Sequence, residues 1–218
     1  MCACGSGKLV LAVLKAMSDV RRTLRQLYDD EARGYAANTD SYEDFPGLKE
    51  DVDAFVDQLE RPALILDLGA GPGRDSRYFA ARGFSVVSAD FSLEMLRIGR
   101  SPEVAQMQAD MVRLPFSSNT FGGAWVCASF LHLPSRDHDQ ALIELLRVLA
   151  PGGLVAVSMK AGEGEGWIEG RSIKRRRWFT LVDPTEFVAT LASKGFMKTS
   201  WSWCNRGSWF IAQGLKAE

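Results

Sequence analysis

The sequence predicts an α/β fold: a doubly wound, mostly parallel seven-stranded sheet that ends in an antiparallel C-terminal hairpin. Three observations carry that expectation. Between Ala63 and Met159, short apolar runs bounded by turn residues alternate with amphipathic segments of helical period, the pattern of buried strands and the helices that cover them. Runs in this region close on acids, at Asp67, Asp90 and Asp110, and in such sheets the ligand crevice lies at the carboxyl ends of the strands. The last two apolar runs, Met197–Cys204 and Ser208–Leu215, are joined by only Asn205-Arg206-Gly207, a link that suits a hairpin and hence an edge of reversed strand direction.

A chain of 218 residues, 46% hydrophobic and 24% charged, suits one α/β domain with a sizeable core. Its net charge of -1 gives no global attraction to polyanions, so any nucleic-acid contact has to come from a local patch. Cys2, Cys4, Cys127 and Cys204 lack paired metal spacing; no metal is expected, and isolated cysteines fit a reducing cytoplasm. The apolar run Leu9–Leu14 is too short for a membrane span, and no cleavage-like segment follows it. Cys4-Gly-Ser-Gly-Lys8 has only a superficial likeness to a phosphate loop, which needs a preceding strand and Ser or Thr where Leu9 stands. Residues 1–16 are expected as a disordered extension, 17–60 as a helical lid region, and 61–218 as the core, with an insertion at about 160–182.

Ser18 is placed to cap a helix with Val20, Leu24, Leu27 and Tyr28 on its apolar face. A second amphipathic segment carries Leu48, Val52, Phe55, Val56 and Leu59 and stops before Arg61-Pro62, because a residue preceding proline is pushed out of the helical region. Tyr28, Tyr35 and Tyr42 are candidates to line a lid. Ala63–Leu68 is the first strand; Gly69, Gly71 and Gly73 then allow a tight turn into a helix over Arg74–Arg82, with Gly83 at its left-handed cap. Ser85–Asp90 is the second strand, Ser92 caps the next helix, and Val104–Asp110 and Phe121–Ser129 are the third and fourth strands. A helix with Leu142, Leu145, Leu146 and Leu149 on one face is broken by Pro151-Gly152-Gly153 ahead of a fifth strand, Leu154–Met159. Asp183-Pro184-Thr185-Glu186 reads as a cap, a first-position proline and a capping-box glutamate.

The glycine loop forms a nucleotide-shaped seat, since glycines after a buried strand let a ligand approach the backbone with no intervening Cβ. Taken in order, Asp67-Leu-Gly-Ala-Gly-Pro-Gly73, Asp90, Ala109-Asp110 with Leu114-Pro-Phe116, Phe121–Ala128 and Leu149-Ala-Pro-Gly-Gly-Leu154 resemble the motifs of the class I S-adenosylmethionine-dependent methyltransferases, over about residues 60–216. The resemblance implies a Rossmann-like methyltransferase fold, S-adenosyl-L-methionine as cofactor and a small-molecule acceptor. By the same resemblance, Asp67 helps hold the cofactor's amino end, and Gly69, Gly71 and Gly73 admit its amino-acid portion and sugar. Asp90, followed by Phe91, accepts from both ribose hydroxyls, each ionised contact contributing about 1.5–3 kcal/mol. Asp110 accepts from the adenine amino group, Met111 lies against the ring, and Ser129 and Tyr35 complete the cofactor-binding set. A nicotinamide fingerprint would want glycine at the position of Arg74.

Methyl transfer is an in-line displacement, so alignment and exclusion of water matter more than strong catalytic groups. His132, just beyond the fourth strand, is the catalytic candidate as a base near neutral pH, set against a loop-packing role; His138 reads as a surface residue. In the insertion, Glu163 and Glu165 are candidates to bind a cation or act as base, or belong to a solvated turn. The run Lys174-Arg-Arg-Arg-Trp-Phe179 opens RNA as an alternative acceptor, or serves as a charged strand edge. The non-enzymatic alternative is an S-adenosylmethionine-binding regulatory protein. No membrane partner is expected, and the sequence carries no signature of oligomeric state.

Overall fold

A computed structural model describes the backbone of residues 5–169 and 173–218, and side chains from Val20 onward. Cys2 and Cys4 lie outside the described residues, as do the side chains of the phosphate-loop-like segment. Helix α1 spans Gly5–Ala37, so Ser18 lies within the helix instead of capping it, and residues 5–16 are helical where a disordered extension was expected. Residues 8–16 are all Leu, Val, Ala or Lys, and such residues offer nothing to stop a helix.

The chain continues through α2 (Leu48–Val56), β1 (Leu64–Leu68), α3 (Arg74–Ala81), β2 (Ser85–Asp90), α4 (Leu93–Ile98), β3 (Ala105–Gln108) and β4 (Phe121–Val126). A single 3-10 turn, Phe130–His132, precedes α5 (Ser135–Val148) and β5 (Leu149–Lys160). Strands β6 (Glu165–Glu169) and β7 (Arg176–Thr180) follow, then α6 (Pro184–Ser193), β8 (Phe196–Trp203) and β9 (Trp209–Lys216). The main sheet has seven strands in the order β3-β2-β1-β4-β5-β9-β8, parallel from β3 through β5 and reversed at β9. This is the expected doubly wound architecture, with β1 and β4 adjacent at the point where strand order reverses.

Two apolar clusters pack on opposite faces of the sheet: one joins Leu66, Leu68 and Val126 to Phe130, Leu142 and Phe210, the other Ile65 and Trp125 to Phe55 and Phe79. Each fully buried Leu, Ile or Phe contributes about 1.5–3 kcal/mol. The caps form as their sequences dictate: Ser92 accepts from Met95 N–H at 3.2 Å, and Asp183 from Thr185 and Glu186 N–H at 2.8 and 3.1 Å.

Several expectations are corrected. Strand β3 ends at Gln108, short of Asp110, which instead forms an isolated bridge with Arg113. Strand β4 ends at Val126 because Ala128, at φ 51°, turns the chain out of the sheet. Leu149 belongs to β5, opposite Phe121, and the Pro-Gly-Gly segment is a bulge within that strand, where Gly152 takes φ 73°. Between β5 and α6 the chain builds the antiparallel pair β6–β7. His138 is buried, its Nε2 3.1 Å from Leu133 O.

Candidate functional site

The carboxyl edge of the sheet is organised by the turn after β1. Gly69 and Ala70 N–H donate to Ala89 O at 2.7 and 3.1 Å, and Gly69, Gly71 and Gly73 adopt φ of 74°, 55° and 77°. These left-handed conformations favour glycine, but steric demand differs along the loop. A Cβ on Gly69 would stand 2.2 Å from Ser129 Cβ, whereas one on Gly71 would meet only a Tyr35 ring carbon at 3.6 Å. Gly69 is therefore fixed by packing, and Gly71 leaves room over the backbone. Ser129 Oγ donates to Leu68 O at 2.9 Å, which secures the chain after β4 against β1.

At the end of β2, Asp90 accepts from Gly71 N–H and Ser92 N–H, each at 2.8 Å and through a different oxygen. Burial pushes its carboxyl up to about 6 despite those donors. It is thus mainly ionised at pH 7, and each oxygen keeps a further lone pair beyond its backbone donor. Asp110 accepts from Val112 N–H at 3.2 Å and, through its other oxygen, from Arg21 of α1 at 2.7 Å. Leu24, Phe91, Met95 and Met111 supply apolar walls around these acids. Arg25 lies 5.6 Å from the Phe91 ring centre, and Asp29 accepts from Ser92 Oγ at 2.6 Å, so α1 is held across this first cavity.

A second cavity adjoins the first, and the two share Tyr35, Gly69, Gly71, Cys127, Ala128 and His132. Asp67 lines the second one from beneath the glycine loop, 2% exposed and accepting from Ser76 Oγ at 2.6 Å. Burial, then the charge of Asp75, raises its carboxyl above the usual carboxylate range. Arg74 is already committed: it donates to both Asp75 oxygens at 2.8 and 3.2 Å and to Thr39 O at 3.0 Å, and it lies over the Tyr42 and Phe45 rings.

His132 stands at the junction of the cavities. Its Nδ1 is 2.6 Å from Trp178 O, which can only accept, so Nδ1 carries the proton and Nε2 accepts from Tyr28 Oη–H at 2.9 Å. Arg177 Nη1 in turn donates to Tyr28 Oη at 3.1 Å. Burial first, then the Arg177 charge, pushes the imidazole down to about 3, so it is neutral across the physiological range. Its basic nitrogen is covered by a phenol that is itself pushed above its ordinary value by burial.

The structure brings most of the sequence-derived site residues together. Gly69, Gly71, Asp90, Phe91, Asp110 and Met111 line the first cavity, along with Ser129, Tyr35 and His132. Asp67 is reached from the second cavity alone, and Gly73 lines neither, acting as the cap of α3. Tyr28 also lines the first cavity, while Tyr42 instead donates to Asp75 at 2.8 Å. The sequence reading missed Lys160, Arg177, Arg206 and Trp209, all of which line the second cavity. Period two on β7 is the signal for Arg177, because it shares a face with the buried Phe179.

The basic run does not form a continuous patch. Arg175 pairs with Asp30 and Glu31 at 3.2 and 3.7 Å, Arg176 donates to Trp167 O at 3.1 and 2.6 Å, and Arg177 turns inward. Glu165 is likewise engaged, accepting from Ser135 N–H at 2.7 Å and Thr180 Oγ at 3.1 Å. Among the described residues, no group of three or more His, Cys, Asp or Glu side chains is placed to hold a metal ion, and no helix is long and apolar enough to cross a membrane.

Comparison with known proteins bears on this geometry. Residues 66–157 match the family model described as a methyltransferase domain. The chain is 36% identical over 135 residues to a malonyl-[acyl-carrier protein] O-methyltransferase of Pseudescherichia vulneris, a match covering 60% of this chain and 53% of that protein. It is 45% identical over 100 residues to a demethylmenaquinone methyltransferase of Streptomyces avermitilis, covering 44% of this chain and 42% of the relative. The matched segment is thus similar to methyltransferase domains. The chain spans about half the length of the curated relatives it matches. Among solved structures, the 1,6-didemethyltoxoflavin-N1-methyltransferase of Burkholderia thailandensis is similar in fold, with a TM-score of 0.67 at 21% identity over 88% of each chain. The chain carries a seven-stranded sheet in which β9 alone runs against the other strands.

Proposed function

We propose that the chain is an S-adenosylmethionine-dependent methyltransferase whose acceptor is a small molecule. The observation that carries this reading is the meeting of two differently built cavities at His132, Tyr35 and the glycine loop. The first has the donor set for an adenosine: two acids at consecutive strand ends, apolar walls between them, and a glycine backbone with no Cβ over its floor. Asp90 holds the ribose hydroxyls on its remaining lone pairs, Asp110 accepts from the adenine amino group, and Met111 and Phe91 cover the ring. Gly71 admits the amino-acid portion, and Asp67 sits within reach of its amino end. When bound, S-adenosylmethionine supplies a methyl carbon made electrophilic by its sulfonium.

The second cavity takes the cofactor's amino-acid end at Asp67 and, beyond it, receives the acceptor. Tyr35, Tyr28 and α1 exclude water from the junction, which strengthens every electrostatic contact there. His132, neutral and covered at Nε2, acts through Tyr28: the imidazole accepts from the phenol and fixes its position beside the point of transfer. The relatives named for malonyl-[acyl-carrier protein] and demethylmenaquinone support an acceptor other than RNA, as does the dispersal of the basic run. A cytoplasmic setting belongs to the same reading, supported by the free thiols of Cys127 and Cys204.

Incubation with methyl-labelled S-adenosylmethionine and fractionated cell extract tests the proposal. Label is expected in the small-molecule fraction. Label in the RNA fraction overturns the acceptor reading, and failure of the protein to retain S-adenosylmethionine in equilibrium dialysis overturns the cofactor reading.

A further inference from the structure

Six buried side-chain polar atoms have no hydrogen-bond partner among the described residues, and three of them, Ser158 Oγ, Arg177 Nε and Arg206 Nη1, belong to residues lining the second cavity. Two are cationic donors and the third is a hydroxyl able to donate. Arg177 is the most exceptional. It is 7% exposed and has no carboxylate partner among the described residues: Nη1 donates to the neutral Tyr28 oxygen, and the guanidinium lies 5.3 Å from the Phe179 ring centre. A buried charge without a counter-ion is destabilising, so native proteins pair such groups or present them to a ligand. Lys160, on the same wall, also makes no side-chain bond among the described residues.

The acids around this cavity do not supply the missing charge. Asp75 is held by Arg74, Asp67 by Ser76, and Asp51 by Arg206 Nη2 at 2.8 Å. Asp44 and Glu169 are solvent-exposed. We infer that the acceptor carries an oxyanion, a carboxylate or a phosphate, and that Arg177 binds it beside the point of methyl transfer, with Ser158, Lys160 and Arg206 as further donors. The planar fork of an arginine matches either anion bidentately. The inference rests on the methyltransferase reading, because it assigns the second cavity to the acceptor.

The test uses the full chain saturated with S-adenosylhomocysteine and titrated with benzoate, phenyl phosphate and the neutral isostere benzamide, followed by tryptophan fluorescence. At least one anion is expected to bind tenfold or more tightly than benzamide, and the tighter anion identifies the headgroup. Arg177→Gln is expected to abolish that preference while leaving S-adenosylhomocysteine affinity within twofold, and Arg177→Lys to retain part of it. Removing an unpaired buried charge should not lower the melting temperature, which serves as the folding control. Equal binding of anions and benzamide, or an unchanged preference in Arg177→Gln, overturns the inference. A large loss of S-adenosylhomocysteine affinity in Arg177→Gln also overturns it, by assigning Arg177 to the cofactor's own carboxylate. If the wild-type chain does not bind S-adenosylhomocysteine at all, the methyl-donor reading fails separately, and the anion titration of the free protein still decides the role of Arg177.

Discussion

Replacing Asp90 by asparagine tests the adenosine seat at the residue that joins it to the glycine loop. The ionised carboxylate offers two ribose hydroxyls charge-assisted acceptors of about 1.5–3 kcal/mol each, where a neutral amide gives about 0.5–1.5 kcal/mol. The difference summed over two hydroxyls is about 2–3 kcal/mol, or roughly 30- to 150-fold in Kd. The side chain also anchors Gly71 N–H and Ser92 N–H on separate oxygens at 2.8 Å. The amide keeps one of those acceptors and turns an NH2 group toward the other donor, so the variant should lose about 1–3 kcal/mol of stability as well. Titration calorimetry with S-adenosylhomocysteine at pH 7.5, alongside thermal unfolding of the free protein, separates the two effects. A folded variant whose Kd stays within threefold of wild type would refute the ribose assignment.

The other predictions are as specific. Because the Asp90 carboxyl is raised to about 6 in the folded chain, its contribution to the stability of the free protein is present below the unfolded carboxylate value and lost as pH rises through about 6, while S-adenosylhomocysteine affinity, which needs the ionised form, rises over the same interval. Both trends should flatten in Asp90→Asn, read as the difference from wild type in unfolding and calorimetric pH series. Gly69→Ala should cost about 2–5 kcal/mol of stability from its left-handed backbone and the clash with Ser129, whereas Gly71→Ala should cost only about 1–2 kcal/mol yet impair cofactor binding. Asp110→Ala should erase the preference for S-adenosylhomocysteine over its inosine analogue, which lacks the adenine amino donor; an undiminished preference would remove Asp110 from the base contact. His132→Ala and Tyr28→Phe should each lower kcat with little change in cofactor Kd, and the double variant should be no worse than the poorer single one, since the two side chains act as one bonded unit. Additive losses would mean that they act independently.

The fold was legible because its central strands β1, β4 and β5 are largely buried and punctuated by glycine, proline and capping residues, signals that are local in sequence. The residues proposed for the adenosine seat stand out for the same reason, since Asp90 ends β2, Asp110 follows β3 and the glycine loop follows β1. What escaped depends on tertiary contact. The Pro-Gly-Gly segment reads as a helix stop, yet it lies inside β5 because Leu149 pairs with Phe121 across the sheet. His138 sits in a polar stretch of sequence but is buried by packing against Phe130 and Phe187. The sequence leaves His132 between a base and a loop-packing residue, and only the approach of Tyr28 from α1, 104 residues away, reveals that its nitrogen is covered. Arg177 was hidden within a run of similar charges, because alternation on a short strand sends neighbouring arginines to opposite faces.

Thermal unfolding with S-adenosylhomocysteine and, separately, NAD tests the central claim most directly. At a hundredfold excess over Kd, a ligand specific for the native state adds about 2.7 kcal/mol, roughly 5–11 °C for a chain of this size. S-adenosylhomocysteine is expected to give a rise of that order and NAD none. A rise with NAD alone would contradict it.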